Sequence, residues 1–350
     1  MLTNIRLQHF RSYQDATFAF GEGVNVVVGP NGSGKTNLLE AVLVLLRGAS
    51  FRVGDEGLVQ HGSDWARLDT STSDGHERTV KLQVDGRDRK TYVFDEKPYR
   101  RLPAGHTLPV VLFEPEHLAL VSGVPETRRS YLDDILEQTK PGYASFRKNY
   151  RRVVSQRNAL LKAALHRPQD FFPWELRLSE LGAVIHRARR DLVVQLNRDI
   201  AGLYSTLAGG KGTLALDYTG RFAAETYETQ LLQTLEKKRP DDIARGFTAY
   251  GPHREDLTVF FDGKPATQVM SRGETRTSVL ALKILELQTI ERLLGQTPTL
   301  LLDDVFSELD TTRRAALTTY LTPYQTFLTT TNADTVTKFP STNTLLIPQQ

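Results

Sequence analysis

Hydrophobic positions along the chain change period several times, and each change marks a different kind of element. Leu2, Ile5 and Leu7, then Ala16, Phe18 and Phe20, fall at strand spacing before the Gly21-Glu22-Gly23 turn. Val24-Asn25-Val26-Val27-Val28 is a short β-branched run of the kind that fills a buried strand. Leu38, Leu39, Val42, Leu45 and Leu46 then recur at helical spacing. Val80, Leu82 and Val84 alternate up to Asp85-Gly86, a hairpin pair, and Tyr92 and Phe94 continue on the return. The first hundred residues therefore predict an antiparallel β layer beside one buried strand and its helix. Pro109-Val110-Val111-Leu112-Phe113 is continuously apolar and predicts a central buried strand.

Near residue 119 the pattern becomes helical. Tyr143, Phe146, Tyr150, Val153, Leu160 and Ala164 share one stripe, and Trp174, Leu178, Leu181, Ile185, Ala188, Leu192, Leu196 and Ile200 share another. A proline-bounded turn, His166 to Pro173, separates them. Steps of three and four residues are coiled-coil spacing, so two antiparallel helices of about 40 Å are expected. After Gly209-Gly210, strands resume at Thr213–Tyr218, and a polar helix is expected near 225–245. Leu257-Thr258-Val259-Phe260-Phe261 then runs to the Asp262-Gly263 turn. A helix from about 274 to 293 is apolar most of the way round and is expected to be buried.

Composition narrows the class. The 350 residues are 39% hydrophobic and 24% charged, as in soluble globular proteins. The absence of cysteine excludes disulfides and thiolate metal sites, and the eight histidines show no ligand spacing. No apolar run approaches the ~20 residues of a membrane span, and the first residues lack a signal-peptide layout, so a cytoplasmic location is expected. The net charge of +3 hides an asymmetry: residues 119–208 hold 15 Lys plus Arg against 9 Asp plus Glu. Arg147-Lys148, Arg151-Arg152, and Arg187, Arg189 and Arg190 interrupt the apolar stripes. They read either as solvated helix faces or as a basic surface for nucleic-acid phosphates.

The chemistry concentrates in two segments. Gly29-Pro30-Asn31-Gly32-Ser33-Gly34-Lys35-Thr36 is G-x-x-x-x-G-K-T between a predicted strand and helix, the phosphate-binding loop pattern. Its glycines and backbone amides at the helix N-terminus suit a triphosphate, with Asn37 next in line. Lys35 is expected to reach the β- and γ-phosphates and Thr36 to hold Mg²⁺. Thr299-Leu300-Leu301-Leu302-Asp303-Asp304 delivers two carboxylates at the end of a strand. There Asp303 would hold the metal and Asp304 would orient or deprotonate water. Arg11, after the first strand, is a further candidate for the phosphates, set against an ordinary strand-edge arginine.

These residues carry a family resemblance. Asp303-Asp304-Val305-Phe306-Ser307-Glu308-Leu309-Asp310 resembles the Walker B segment and D-loop of ATP-binding-cassette and SMC-like ATPases, and Ser271-Arg272-Gly273-Glu274 resembles their signature motif. Leu7–Tyr13, Arg128-Arg129-Ser130-Tyr131-Leu132-Asp133 and Gly251-Pro252-His253-Arg254-Glu255-Asp256-Leu257 resemble the RecF family of bacterial recombination mediators. The resemblance implies an α/β fold: an ABC/SMC-type P-loop ATPase head with an antiparallel β layer, made of residues 1–118 and 209–350. An inserted coiled-coil-like helical arm would occupy 119–208. It also implies head-to-head homodimers on ATP, with Ser271 and Gly273 of one subunit gripping the γ-phosphate held by the other. Hydrolysis would then release a clamp from double-stranded or gapped DNA. RecR and RecO would be partners in loading RecA on strands coated with SSB.

The chain departs from the cassette pattern in places. Arg272 stands where Gln or Gly is usual. Phe113-Glu114-Pro115-Glu116-His117-Leu118 replaces the Q-loop without a Gln, leaving Glu116 for its metal role. The switch region Leu328-Thr329-Thr330-Thr331-Asn332 has no His, leaving Thr331 or Asn332. Asp304 replaces Glu. Together these departures suggest a slow ATPase working as a switch. A transporter ATPase subunit, a small-molecule kinase and a non-hydrolysing, nucleotide-locked DNA-binding protein are the competing classes.

Overall fold

In the computed structural model, which describes residues 1–85, 89–163, 167–331 and 342–347, the chain opens with β1 (Asn4–Phe10), β2 (Tyr13–Ala19), β3 (Val24–Val28) and α1 (Lys35–Arg47). It continues through β4 (Trp65–Ser71), β5 (Glu77–Gln83), β6 (Lys90–Phe94), β7 (Lys97–Tyr99) and β8 (Val110–Phe113). Six helices follow: α2 (Ala119–Ser122), α3 (Pro125–Thr139), α4 (Tyr143–Lys162), α5 (Phe172–Leu196), α6 (Ile200–Leu207) and, after β9 (Leu214–Thr219), α7 (Tyr227–Lys237). Then come α8 (Arg239–Arg245), β10 (Asp256–Phe261), β11 (Lys264–Pro265), α9 (Ala266–Val269) and α10 (Arg272–Leu294). The last elements are β12 (Thr299–Leu302), α11 (Thr311–Leu321), β13 (Thr326–Thr330) and β14 (Thr342–Leu346). They divide into two compact units, Met1–Glu116 with Ile290–Gln350, and His117–Thr289.

The first unit holds two sheets. One is all parallel in the order β14-β3-β13-β12-β8; the other is antiparallel in the order β2-β1-β4-β5-β6-β7. Helix α1 packs on strands of both. That double burial explains its sequence: Leu38, Leu39, Val42, Leu45 and Leu46 are all sequestered, among Ile5, Leu7, Leu68, Val80 and Leu82 of one sheet and Val27, Leu301 and Phe327 of the other. The polar Asn25 inside the valine run is fully buried and satisfied. It accepts from the Gly21 amide at 2.7 Å and donates to the Gly21 carbonyl at 2.9 Å, while Asn343 of β14 donates to it at 3.0 Å. Strand β8 lies at the edge of the described parallel sheet, not at its centre as its apolar run suggested. Gly86 of the expected first hairpin lies outside the described residues.

The second unit extends well past residue 208. Helices α4 and α5 pack along each other as the stripes predict, at about 30 and 38 Å from their lengths. Ala164 and His166, between them, lie outside the described residues. Helix α5 also packs on α3, α7 and β9, and α3 packs on β10. The helix pair is therefore one side of a larger unit that includes the sheet β11-β10-β9 and most of α10. The expected polar helix at 225–245 is two helices, α7 and α8, divided just before Pro240. Asp262 (φ 47°) and Gly263 (φ 76°) both take the left-handed backbone that a two-residue hairpin between β10 and β11 requires.

The basic residues of the arm split into two sets. Lys148, Arg151, Arg152, Arg187 and Arg190 are exposed. Arg189 and Arg157 are buried. Arg189 donates twice to Asp133, at 2.8 and 2.9 Å, and to the Pro252 carbonyl at 2.7 Å. Arg157 donates to Asp242 (2.6 Å), Thr248 (2.9 Å) and Glu175 (3.1 Å). Arg147, half-buried, pairs with Asp133 and Glu137. For Arg147 and Arg189 the reading as a phosphate-facing surface gives way to a structural one, because burying a guanidinium demands paired carboxylates.

Candidate active site

In a parallel sheet every strand delivers its C-terminal end to the same edge. Here β3, β13, β12 and β8 do so side by side, bringing the phosphate-binding loop, Thr329–Thr330, Asp303-Asp304 and the Glu114–Glu116 turn to one edge. The loop after β3 turns through Gly32 (φ 82°) and Gly34 (φ 100°) into α1. A side chain at Gly34 would also meet the Ser12 hydroxyl at 2.7 Å, so only glycine serves both backbone and space. Pro30, Asn31 and Gly32 are exposed, whereas Ser33, Gly34 and Lys35 are buried.

The Lys35 ammonium donates to the carbonyls of Gly29 and Pro30, both at 2.8 Å, which curls the side chain over the loop. Burial lowers its pKa from the usual lysine value, and the charges of Asp304 and Asp303 oppose that shift. Thr36 donates to both oxygens of Asp303 at 3.0 Å, joining the start of α1 to the end of β12. Two hard oxygen donors this close, beside a phosphate-binding loop, fit Mg²⁺ bound jointly by protein and phosphate. The Ser33 hydroxyl is buried with no hydrogen-bond partner among the described residues, inside the loop where a phosphate oxygen would be received. The residues present therefore fit a magnesium–nucleotide.

Thr329 was not among the expected site residues. Its hydroxyl donates to Asp303 at 2.7 Å and accepts from the Asp304 amide at 2.8 Å. Asp304 sits in the left-handed region at φ 51°, unusual for a non-glycine residue. One threonine thus fixes the first carboxylate and the backbone of the second. Of the two residues expected to replace the switch histidine, Thr331 is exposed just beyond β13, and Asn332 lies outside the described residues.

Arg11 also has left-handed backbone, φ 53°; it donates to Glu40 of α1 at 2.7 Å and to the Gly57 carbonyl at 3.0 Å. Glu40 is fully buried and accepts a second bond from Ser50. Arg11 thereby anchors the β1–β2 turn to α1. Next to it Ser12 accepts from Asn37 at 3.0 Å, and Tyr13 donates to the Gly34 carbonyl at 3.0 Å. This turn buttresses the loop, a role its sequence position alone does not disclose. Glu116 is exposed in the turn after β8, whose Phe113 carbonyl accepts from the Asp303 amide at 2.9 Å.

In the second unit Ser271 and Glu274 form a reciprocal cap at the start of α10. The Ser271 amide and hydroxyl both donate to Glu274 at 2.7 Å, and the Glu274 amide donates back at 3.3 Å. Ser271 and Arg272 are exposed and Gly273 is half-buried. The other two motif segments, Arg128–Asp133 and Gly251–Leu257, meet directly: Arg128 holds Asp256 through two bonds at 2.9 and 2.6 Å, and Arg129 donates to the Glu255 carbonyl at 2.9 Å.

The chain resembles known proteins over nearly its whole length. Residues 1–347 match the RecF/RecN/SMC N-terminal domain family. The DNA replication and repair protein RecF of Acidothermus cellulolyticus is 37% identical over 91% of this chain and 90% of its own length. That of Heliobacterium modesticaldum is 35% identical over 94% and 91%. Among solved structures, the recombination mediator protein RecF-ATPrS of the RecFOR pathway superposes with a TM-score of 0.89 at 26% identity, covering 100% of this chain and 98% of that one. An SMC head superposes at 0.53 with 17% identity, a likeness of fold. The phosphate-binding loop before α1, the carboxylates after β12 and full-length similarity lead to one conclusion: the chain belongs to the RecF family, within the RecF/RecN/SMC ATPases.

Proposed function

We propose that this protein is an ATP-dependent DNA-binding recombination mediator that acts in the cytoplasm. ATP closes two copies into a clamp on double-stranded or gapped DNA, and slow, DNA-stimulated hydrolysis releases it. The observation that carries the reading is the junction of Thr36, Asp303 and Thr329, which ties both chemical motifs into one oxygen-rich site. Lys35 places its charge on the β- and γ-phosphates. Thr36 and Asp303, with Glu116 at the edge, hold Mg²⁺, which neutralises phosphate charge when bound. Asp304, its backbone fixed by Thr329, orients the attacking water and takes its proton. Gly29 through Asn37 enclose the phosphates, with Arg11 bracing the loop.

Ser271 and Gly273 of a second copy would complete each site. At the exposed start of α10 the Ser271 hydroxyl and amide would exchange their bonds to Glu274 for bonds to a γ-phosphate, which suits a helix N-terminus. As a family member the chain would work with RecR and RecO to place RecA on strands held by SSB. The test is the mass in solution without nucleotide, with ADP, and with ATP and Mg²⁺, for the wild type and Ser271→Arg. A dimer formed only with ATP and lost in the variant, with ATP binding kept, supports the reading. A wild type that stays monomeric with ATP overturns it.

A further inference from the structure

Every polar group of Ser271 is engaged within its own chain. The amide and the hydroxyl each reach the Glu274 carboxylate at 2.7 Å. The carbonyl accepts from the Thr275 amide at 2.9 Å and from the Thr275 hydroxyl at 3.0 Å. The bonds from Ser271 hold the Glu274 carboxyl below the usual carboxylate range, so it is charged at neutral pH. The donors that would meet a γ-phosphate therefore already serve an anion.

The surroundings of that anion are positive. Arg272, the first residue of α10, is exposed and forms no ion pair among the described residues. It adds a cation to the positive end of the helix dipole, where a cation is unfavourable. Glu274 is the acid of that first turn and answers both charges. An anion taking its place would find the same two donors and a guanidinium at hand.

The helix is fixed beneath the contact, while the contact itself can open. Thr277 donates to the Gly273 carbonyl at 3.0 Å, and the fully buried Ser278 donates to the Glu274 carbonyl at 2.9 Å. These bonds pin the backbone of the first turn from inside. The Glu274 side chain is only half-buried, so rotation about its own bonds carries the carboxylate into water without disturbing the helix.

We infer that Glu274 is an internal rival of the γ-phosphate for Ser271. It holds the donors in the single chain, yields them to the terminal phosphate of ATP held by a second copy, and retakes them when that phosphate departs. A phosphate group carries about −1.5 to −2 charges and three acceptor oxygens, more than a carboxylate offers, so it prevails while present. Glu274 thus sets how tightly two copies pair and how fast they part. It regulates the same site that pairing on ATP uses, and its role rests on that reading.

The test compares full-length wild type, Glu274→Gln and Glu274→Ala. Sedimentation in saturating ATP and Mg²⁺ gives the pairing equilibrium, and light scattering after a chase with excess ADP gives the rate of parting. Glutamine keeps the reciprocal cap without the charge, whereas alanine removes both. A hydrogen bond to a charged acceptor exceeds one to a neutral acceptor by about tenfold in equilibrium constant. Pairing should therefore tighten about 5- to 10-fold per site in Glu274→Gln, or about 25- to 100-fold for a pair with two sites, and at least as much in Glu274→Ala. Parting should slow at least about fivefold in both. Binding of a fluorescent ATP analogue to single chains should stay within about twofold of wild type.

Variants that pair and part as the wild type does overturn the inference and leave the reading of an ATP-bound pair standing. A Glu274→Ala protein that pairs more weakly, beside an unchanged Glu274→Gln, also overturns it and assigns Glu274 to the helix cap alone. If all three proteins stay monomeric in ATP, the inference and the reading fall together.

Discussion

Thr329→Val gives a sharp test of how the site is held together. Valine keeps the β-branched shape that β13 buries and removes only the hydroxyl. Two bonds disappear: one to the Asp303 carboxylate at 2.7 Å and one from the Asp304 amide at 2.8 Å. A bond to a charged acceptor contributes about 1.5–3 kcal/mol and an ordinary amide bond about 0.5–1.5, so roughly 2–4 kcal/mol of local stabilisation is lost. Asp304 holds a left-handed backbone at φ 51°, which costs on the order of 1–2 kcal/mol. Without the threonine bond that backbone relaxes, and the carboxylate leaves the attacking water. The expected result is a fall in kcat of about 10- to 100-fold. ATP affinity should change by less than about twofold, since Lys35 and the loop are untouched. Phosphate release under saturating ATP and titration with a fluorescent ATP analogue separate the two quantities. Thr329→Ser, which restores the hydroxyl, should recover activity to within about threefold of wild type. A Thr329→Val protein with wild-type kcat would refute the reasoning.

Other consequences follow from the same geometry. Asp304→Asn should lower kcat at least about 100-fold while ATP binding persists, so ATP-bound dimers should accumulate on DNA and be visible by sedimentation. Arg157→Met leaves Asp242 and Glu175 buried beside an uncharged thioether, and although Arg239 still reaches Glu175, unfolding in urea should show a loss of about 3–5 kcal/mol. Burial pushes the His253 imidazole down to about 4, against the pull of its bond to the Thr248 carbonyl. A base depressed in the folded state contributes stability above its unfolded pKa of about 6.5 that is lost as pH falls toward 4. His253→Gln should therefore remove on the order of 2 kcal/mol of the stability difference between pH 8 and pH 5, measured by denaturant unfolding at each pH.

The parts of this structure that can be read from the chain are those written in contiguous residues. The strand–loop–helix around Lys35, the apolar strand ending in Asp303-Asp304 and the two helical stripes of the arm each carry their own period or motif. Thr329 escaped because its importance depends on register: β13 lies between β3 and β12, and nothing in Thr329-Thr330-Thr331 says which hydroxyl faces the carboxylates. Arg157 and Arg189 escaped for a related reason. A basic residue beside an apolar stripe looks solvated until its partners, Asp242 and Asp133, are brought to it by the fold. The end of the second unit was likewise hidden, because glycines at 209–210 look like a boundary, whereas the packing of α5 on β9 carries the unit past them.

The pairing of β3 with β13 and β14 has a consequence for how the protein is made. The strand that carries the phosphate-binding loop emerges early in synthesis, yet its neighbours on both sides emerge last; Asn25 and Asn343 bond across a separation of 318 residues. Until those late strands arrive, β3 has two bare edges and the loop has no Asp303 or Thr329 beside it. Contacts that distant form slowly and leave intermediates with exposed strand edges. The site is assembled only after β12 and β13 are made, and a ribosome that stalls before residue 326 leaves a product without Thr329 and without the strand that lies between β3 and β12.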